Sequence, residues 1–78
     1  MRDIQPPITT DEEYCGYRRA HDKLTALVEQ REARLIDALA RGDAEQIEDR
    51  CYDLLDALRK RQGVLDAITA YEGSRRIA

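Results

Sequence analysis

The most reactive side chains in this sequence are His21 and the thiols of Cys15 and Cys51. One histidine and two cysteines fall short of the four N/S ligands that a structural zinc takes. His21 has no serine or cysteine at a spacing that would make it the base of an activated nucleophile, because Cys15 falls on another face of any helix containing both. No paired-carboxylate pocket and no glycine-rich phosphate loop can be named. The expectation is a chain that is not an enzyme and holds neither cofactor nor metal.

Charge offers a second kind of chemistry. Thirteen Lys and Arg against sixteen Asp and Glu leave a net −3, and the pI near 5.1 excludes a surface that is basic throughout. The signs are unevenly placed. Asp37, Asp43, Glu45, Glu48, Asp49, Asp53 and Asp56 crowd the middle of the chain against only Arg41 and Arg50. Arg18, Arg19 and Lys23 come level with Arg59 and Lys60 if two helices run antiparallel, a candidate nucleic-acid face held by phosphate attraction. No aromatic residue interleaves with those bases, so a stacking platform is missing. The plainer reading is a solvated surface laced with helical ion pairs such as Arg18–Asp22 and Asp56–Lys60.

These side chains must be carried by elements, and punctuation in the sequence sets them out. Residues 1–10 read as an extended arm, since Pro6 and Pro7 fix φ and push Gln5 out of the helical region. Thr10 and Glu13 form a capping box, with Asp11 and Glu12 in the first turn. Apolar residues then recur at Tyr14, Tyr17, Leu24, Val28 and Leu35 at helical spacing, up to a stop at Arg41 and Gly42. Asp43 opens a second helix with Gln46 three residues on, and its stripe is Ile47, Cys51, Leu54, Leu58, Leu65 and Ile68, with Arg61 in the skipped place. Gly73 and Ser74 are expected to end it. The spacing predicts helices over about 11–41 and 44–72, a hairpin spanning 11–73 and a tail from 74 to 78. Gly63 could break the second helix and set off a third, short one from Val64 to Tyr71; a continuous or mildly bent helix is the expectation, because the stripe keeps its phase on both sides.

A break of one or two residues forces two such helices antiparallel. Turning between Gly42 and Asp43, the hairpin sets Tyr14 against Tyr71, Tyr17 against Ile68, His21 against Leu65, Val28 against Leu58 and Arg31 against Leu54. Cys15 and Cys51 are then about 28 Å apart along the axis, whereas a disulfide needs Cα atoms within about 7 Å. Two reduced thiols in a cytoplasmic protein are the expectation. No apolar run approaches the length of a membrane span, and no signal segment follows Met1.

One narrow seam does not use up the apolar residues. Leu27, Ile36, Leu39, Leu55 and Val64 flank it, and a stripe wider than the seam belongs to a helix with more than one neighbour. A chain this short buries only about 60–65% of its unfolded surface, so a second copy is the simplest cover. The expected architecture is all-α: an antiparallel two-helix hairpin dimerising into a four-helix bundle. Its core and interface would be Tyr14, Tyr17, Leu24, Leu27, Val28, Leu35, Leu39, Ile47, Cys51, Leu54, Leu55, Leu58, Leu65, Ile68 and Tyr71. Polar residues at seam positions, His21, Arg31, Arg61 and Glu72, are expected to pack their stems and send their heads to solvent or to a carboxylate.

Two stretches carry a family likeness. Ile8-Thr9-Thr10-Asp11-Glu12-Glu13-Tyr14, followed by His21 and Leu24, resembles the start of HigA-type antitoxins, and Val64-Leu65 with Ala70-Tyr71-Glu72 resembles a later stretch of that family. Nothing after Glu72 matches the family's helix-turn-helix DNA-binding domain, so the resemblance implies a bacterial, partner-binding segment for a toxin-like protein. Glu29-Gln30-Arg31, Ala40-Arg41-Gly42-Asp43-Ala44-Glu45 and Leu54-Leu55 are similar to flagellar export chaperones of the FlgN and FliT kind, which implies a helical client. Residues and resemblances converge on a non-enzymatic helical interaction module. The nucleic-acid face is the alternative.

Overall fold

The computed structural model describes residues 4–77, with side chains described through residue 75; the first residues of the arm and the last of the tail lie outside the described part. The described residues form two helices, α1 (Asp11–Arg41) and α2 (Ala44–Ile77). They pack side by side in a body 53 Å long and 21 by 16 Å across. No described residue is therefore far from the surface.

The start of α1 follows the capping chemistry of its sequence. Thr10 is extended (φ −131°, ψ 158°) and its hydroxyl accepts from the Glu13 N–H at 3.1 Å. The Glu13 carboxylate takes the Thr9 hydroxyl at 2.5 Å and the Thr10 hydroxyl at 3.2 Å, which fastens the arm to the first turn. α1 ends at Gly42, left-handed at φ 69°, whose N–H donates to the carbonyls of Ala38 and Leu39. A residue with a Cβ is strained in that conformation. Asp43 then caps α2, its carboxylate accepting from the Gln46 N–H at 3.2 Å.

Facing residues have numbers that sum to about 85, as the stacked rings of Tyr14 and Tyr71 mark. On heptad lettering the α1 seam runs through Tyr14, His21, Val28 and Leu35 at a and Tyr17, Leu24, Arg31 and Ala38 at d. In α2 it runs through Ile47, Leu54, Arg61 and Ile68 at a and Arg50, Ala57, Val64 and Tyr71 at d. The deepest residues lie on these tracks: Val28 at 2% exposure against Ala57 at 0%, with Ala38, Val64 and Ile68 also buried.

That track corrects the expected one. Leu58 and Leu65 were expected in the seam; they stand one position past it, Leu58 half-buried and Leu65 38% exposed. Ala57 and Val64 take the seam instead, because a small residue at the contact lets two helices approach closely while leucines fit at its rim. Leu39 and Leu55 are exposed in the single chain as well. Tyr14, Tyr17, Leu24, Leu27, Leu35, Ile47, Cys51, Leu54 and Tyr71 are half-buried.

α2 differs at its end too. It passes through Gly63, Gly73 and Ser74 without a break and reaches Ile77, so the expected stop after Glu72 is corrected. Arg75 and Tyr71 both bond Asp11 of α1, and these cross-links hold the last turns where propensity alone favours fraying.

The described residues of the arm, 4–10, form no helix, and Ile8 anchors them. Ile8, only 8% exposed, joins Val64 and Ile68 in one buried cluster, with Tyr14, Tyr17, Ala20, Leu24, Ala67 and Tyr71 around it. The Tyr17 hydroxyl donates to the Pro6 carbonyl at 2.9 Å.

Candidate functional site

At the open end of the hairpin, tyrosine, carboxylate and arginine form a two-part clasp. Tyr14 donates to Glu72 at 2.8 Å, and Tyr71 donates to Asp11 at 2.5 Å. The rings lie 5.2 Å apart, tilted by 32°. Arg18 sits 5.8 Å from the Tyr14 ring and donates to its oxygen, and Arg75 sits 5.7 Å from the Tyr71 ring. The hydrogen bond to the Asp11 carboxylate holds the Tyr71 phenol above its ordinary range, with desolvation and the Asp11 charge acting in the same direction. This is structural chemistry: each hydroxyl is committed to a carboxylate on the other helix.

Arg31 performs a similar task mid-seam. It donates to the Asp53 carbonyl at 2.6 Å and lies 3.6 Å from Asp56, so a main-chain group of α2 is tied to a side chain of α1. Asp56 is held below the usual carboxylate range, first by its bond to Lys60 and also by Arg31. Arg18, expected to pair with Asp22, turns instead to Tyr14 and to Glu72 at 3.9 Å. The expected Asp56–Lys60 pair forms at 3.1 Å.

The five bases of the candidate nucleic-acid face do not share one face. By heptad position Arg18 lies on one flank of the hairpin, Lys60 on the other, Lys23 beyond that second flank, and Arg19 and Arg59 at the back of their helices. They belt the bundle at one level. His21 is half-buried, Cys15 is exposed, and both cysteines are free. Among the described residues no group of His, Cys, Asp and Glu is placed to hold a metal ion, and no helix is long and apolar enough to cross a membrane.

Two surfaces remain, on opposite flanks. On the first, the arm crosses α2 and leaves an open groove of about 740 Å³, with Ile4, Pro7 and Ile8 on one side and Gly63, Ala67 and Ala70 on the other. The second flank is formed by the e and b positions of both helices, which face the same way in an antiparallel pair. Among these positions are Ile36 and Leu39 of α1 and Leu55, Leu58 and Leu65 of α2, set among Arg18, Asp22, Glu29, Glu32 and Glu48. Ile36 is 64% exposed, Leu39 55% and Leu55 43%. Sequence reasoning named these residues as seam flanks but placed Leu58 and Leu65 within the seam. It missed Ile8 and Ala57 as core.

No protein-family model matches this chain, and neither a curated protein nor a solved structure is similar to it. What the fold defines is its class, an antiparallel helical hairpin with one flank packed by its own N-terminal arm and the other leaving Ile36, Leu39, Leu55 and Leu65 exposed.

Proposed function

We infer that this chain is a non-enzymatic helical interaction module that self-associates through its apolar flank and presents helices to a partner protein. The observation that carries this reading is the row of Ile36, Leu39, Leu55 and Leu65, large apolar side chains left open to water on one side of a body only two helices wide. Contiguous exposed apolar surface marks association sites, and burial at about 25 cal/mol per Å² is the main favourable term open to a bundle this small. A toxin-like partner is supported by the likeness of residues 8–14 and 64–72 to HigA-type antitoxins. These two stretches meet in the fold, Ile8 packing on Val64 and Tyr14 stacking on Tyr71.

Sedimentation equilibrium of the full chain at micromolar concentration tests the reading. A dimer or larger species is expected, with Leu55→Glu shifting it to monomer while circular dichroism stays helical. A monomer in the unmodified chain, folded and melting cooperatively, overturns the proposal.

A further inference from the structure

We propose that the cleft formed near the turn by Arg34, Arg41, Arg50 and Gln46 binds a phosphate group, held by guanidinium donors that the fold leaves unused. Asp37 and Ala38 complete its lining, and it holds about 140 Å³. Arg34, Arg41 and Gln46 stand at g positions, so the cleft lies on the flank opposite the exposed apolar row. The proposal is independent of self-association.

The cleft exists because of spacing. Arg34, Ala38 and Arg41 share one face of α1, and the small, buried Ala38 leaves a depression between two long side chains. By the pairing that stacks Tyr14 on Tyr71, Arg50 comes level with Leu35 and Gln46 with Leu39. Donors therefore approach from both helices and from both ends of the depression.

These donors outnumber the acceptors they meet. Residues 31–54 carry seven acids and four arginines, yet three of those arginines line the cleft and only one of the acids does. Arg41 is committed to Asp37. Arg50 meets only Asp53, at 3.7 Å, and donates no hydrogen bond; Arg34 has neither a hydrogen bond nor an ion pair among the described residues. Each guanidinium carries five N–H donors. Arg31, also at a d position, uses its own to tie α1 to the Asp53 carbonyl. Arg50 stands at a d position of α2 with its side chain only 35% exposed, and it ties nothing. Counting Asp37 and Asp53, three positive charges meet two negative ones, and an anion relieves the repulsion that remains.

The shape favours phosphate over another carboxylate. A carboxylate presents two oxygens in one plane, whereas a tetrahedral phosphate presents oxygens towards donors on both sides and takes arginine bidentately. At about 30 Å³ per water, a cleft of about 140 Å³ has the volume of four to five waters, which suits a group of five heavy atoms.

Titration of the full chain with inorganic phosphate, followed by proton–nitrogen NMR, tests the site. The pH is about 7, where a phosphate ester carries close to two charges, and chloride holds the ionic strength constant. Saturable shifts are expected in the backbone amides around Arg34, Arg41 and Arg50. Arg34→Gln and Arg50→Gln should each weaken binding about tenfold, the loss of a hydrogen bond to a charged group. Arg59→Gln, on the back of α2, should leave it unchanged, and circular dichroism checks that each variant stays helical. Phenyl phosphate separates the sources: binding as tight as the inorganic ion supports a phosphoryl group carried by a larger molecule, and weaker binding supports the free ion. Acetate binding as tightly as phosphate overturns the choice of ligand. Shifts that do not saturate, or that survive both Arg34→Gln and Arg50→Gln, overturn the site.

Discussion

The ring of Tyr14 lies 5.2 Å from that of Tyr71, and each phenol donates to a carboxylate of the other's helix, Tyr14 to Glu72 and Tyr71 to Asp11. Each ring also lies beneath the arginine four positions on, Arg18 or Arg75. The open end of a long hairpin is where two helices separate most easily, since no turn joins them there. The clasp supplies aromatic contact and two cross-helix hydrogen bonds at that end.

The clasp gives the fold a dependence on high pH. Tyr71 has its proton affinity raised, chiefly by the bond to Asp11. A group raised in the folded state contributes its full stabilisation below its unfolded pKa, about 10 for tyrosine, and loses it as pH rises through the folded value. The thermal midpoint should therefore fall above about pH 10. Tyr71→Phe should flatten that fall, and Tyr52→Phe, at an exposed site, should leave it unchanged. Equal profiles for Tyr71→Phe and the unmodified chain would refute the assignment.

Ala57 and Leu58 test the phase of α2. Ala57 is fully buried against α1, so Ala57→Leu forces extra atoms into a closed contact and should cost about 1–3 kcal/mol or more. Leu58 is half-buried, so Leu58→Ala should cost only about 1–2 kcal/mol, below the range for a fully buried leucine. Lys60→Ala removes an exposed ion pair with Asp56 and should change stability by less than about 0.5 kcal/mol. Urea denaturation of the three variants measures the order. Leu58→Ala as the most damaging of the three would restore a seam through Leu58.

The difference between Ala57 and Leu58 also marks how far the sequence could be read. Caps and turn were legible at Thr10, Gly42 and Asp43 because capping is local chemistry, decided within a few residues. The pairing of Tyr14 with Tyr71 followed from the position of the turn. The seam through Ala57 and Val64 was not legible from hydrophobicity, which favours the larger Leu58 and Leu65, because close helix approach is a property of the pair. Ile8 was missed for a similar reason: Pro6 and Pro7 predict an extended backbone, but its docking on Val64 and Ile68 is a tertiary contact. The extension of α2 past Gly73 depends in the same way on Arg75 and Tyr71 meeting Asp11 on the other helix. For the candidate interface, the sequence supplied the surplus of apolar residues but not their division between the two flanks, one packed by the arm and one open.

Loss of the arm's anchor should expose α2. Ile8→Ala removes most of a buried side chain and should cost about 2–3 kcal/mol. Tyr17→Phe removes the bond to the Pro6 carbonyl and should cost about 1 kcal/mol. Both should speed amide exchange in residues 64–71 more than in residues 44–54, since only the former lie beneath the arm. Uniform acceleration along α2 would mean that the arm acts on the whole fold and not on its own site.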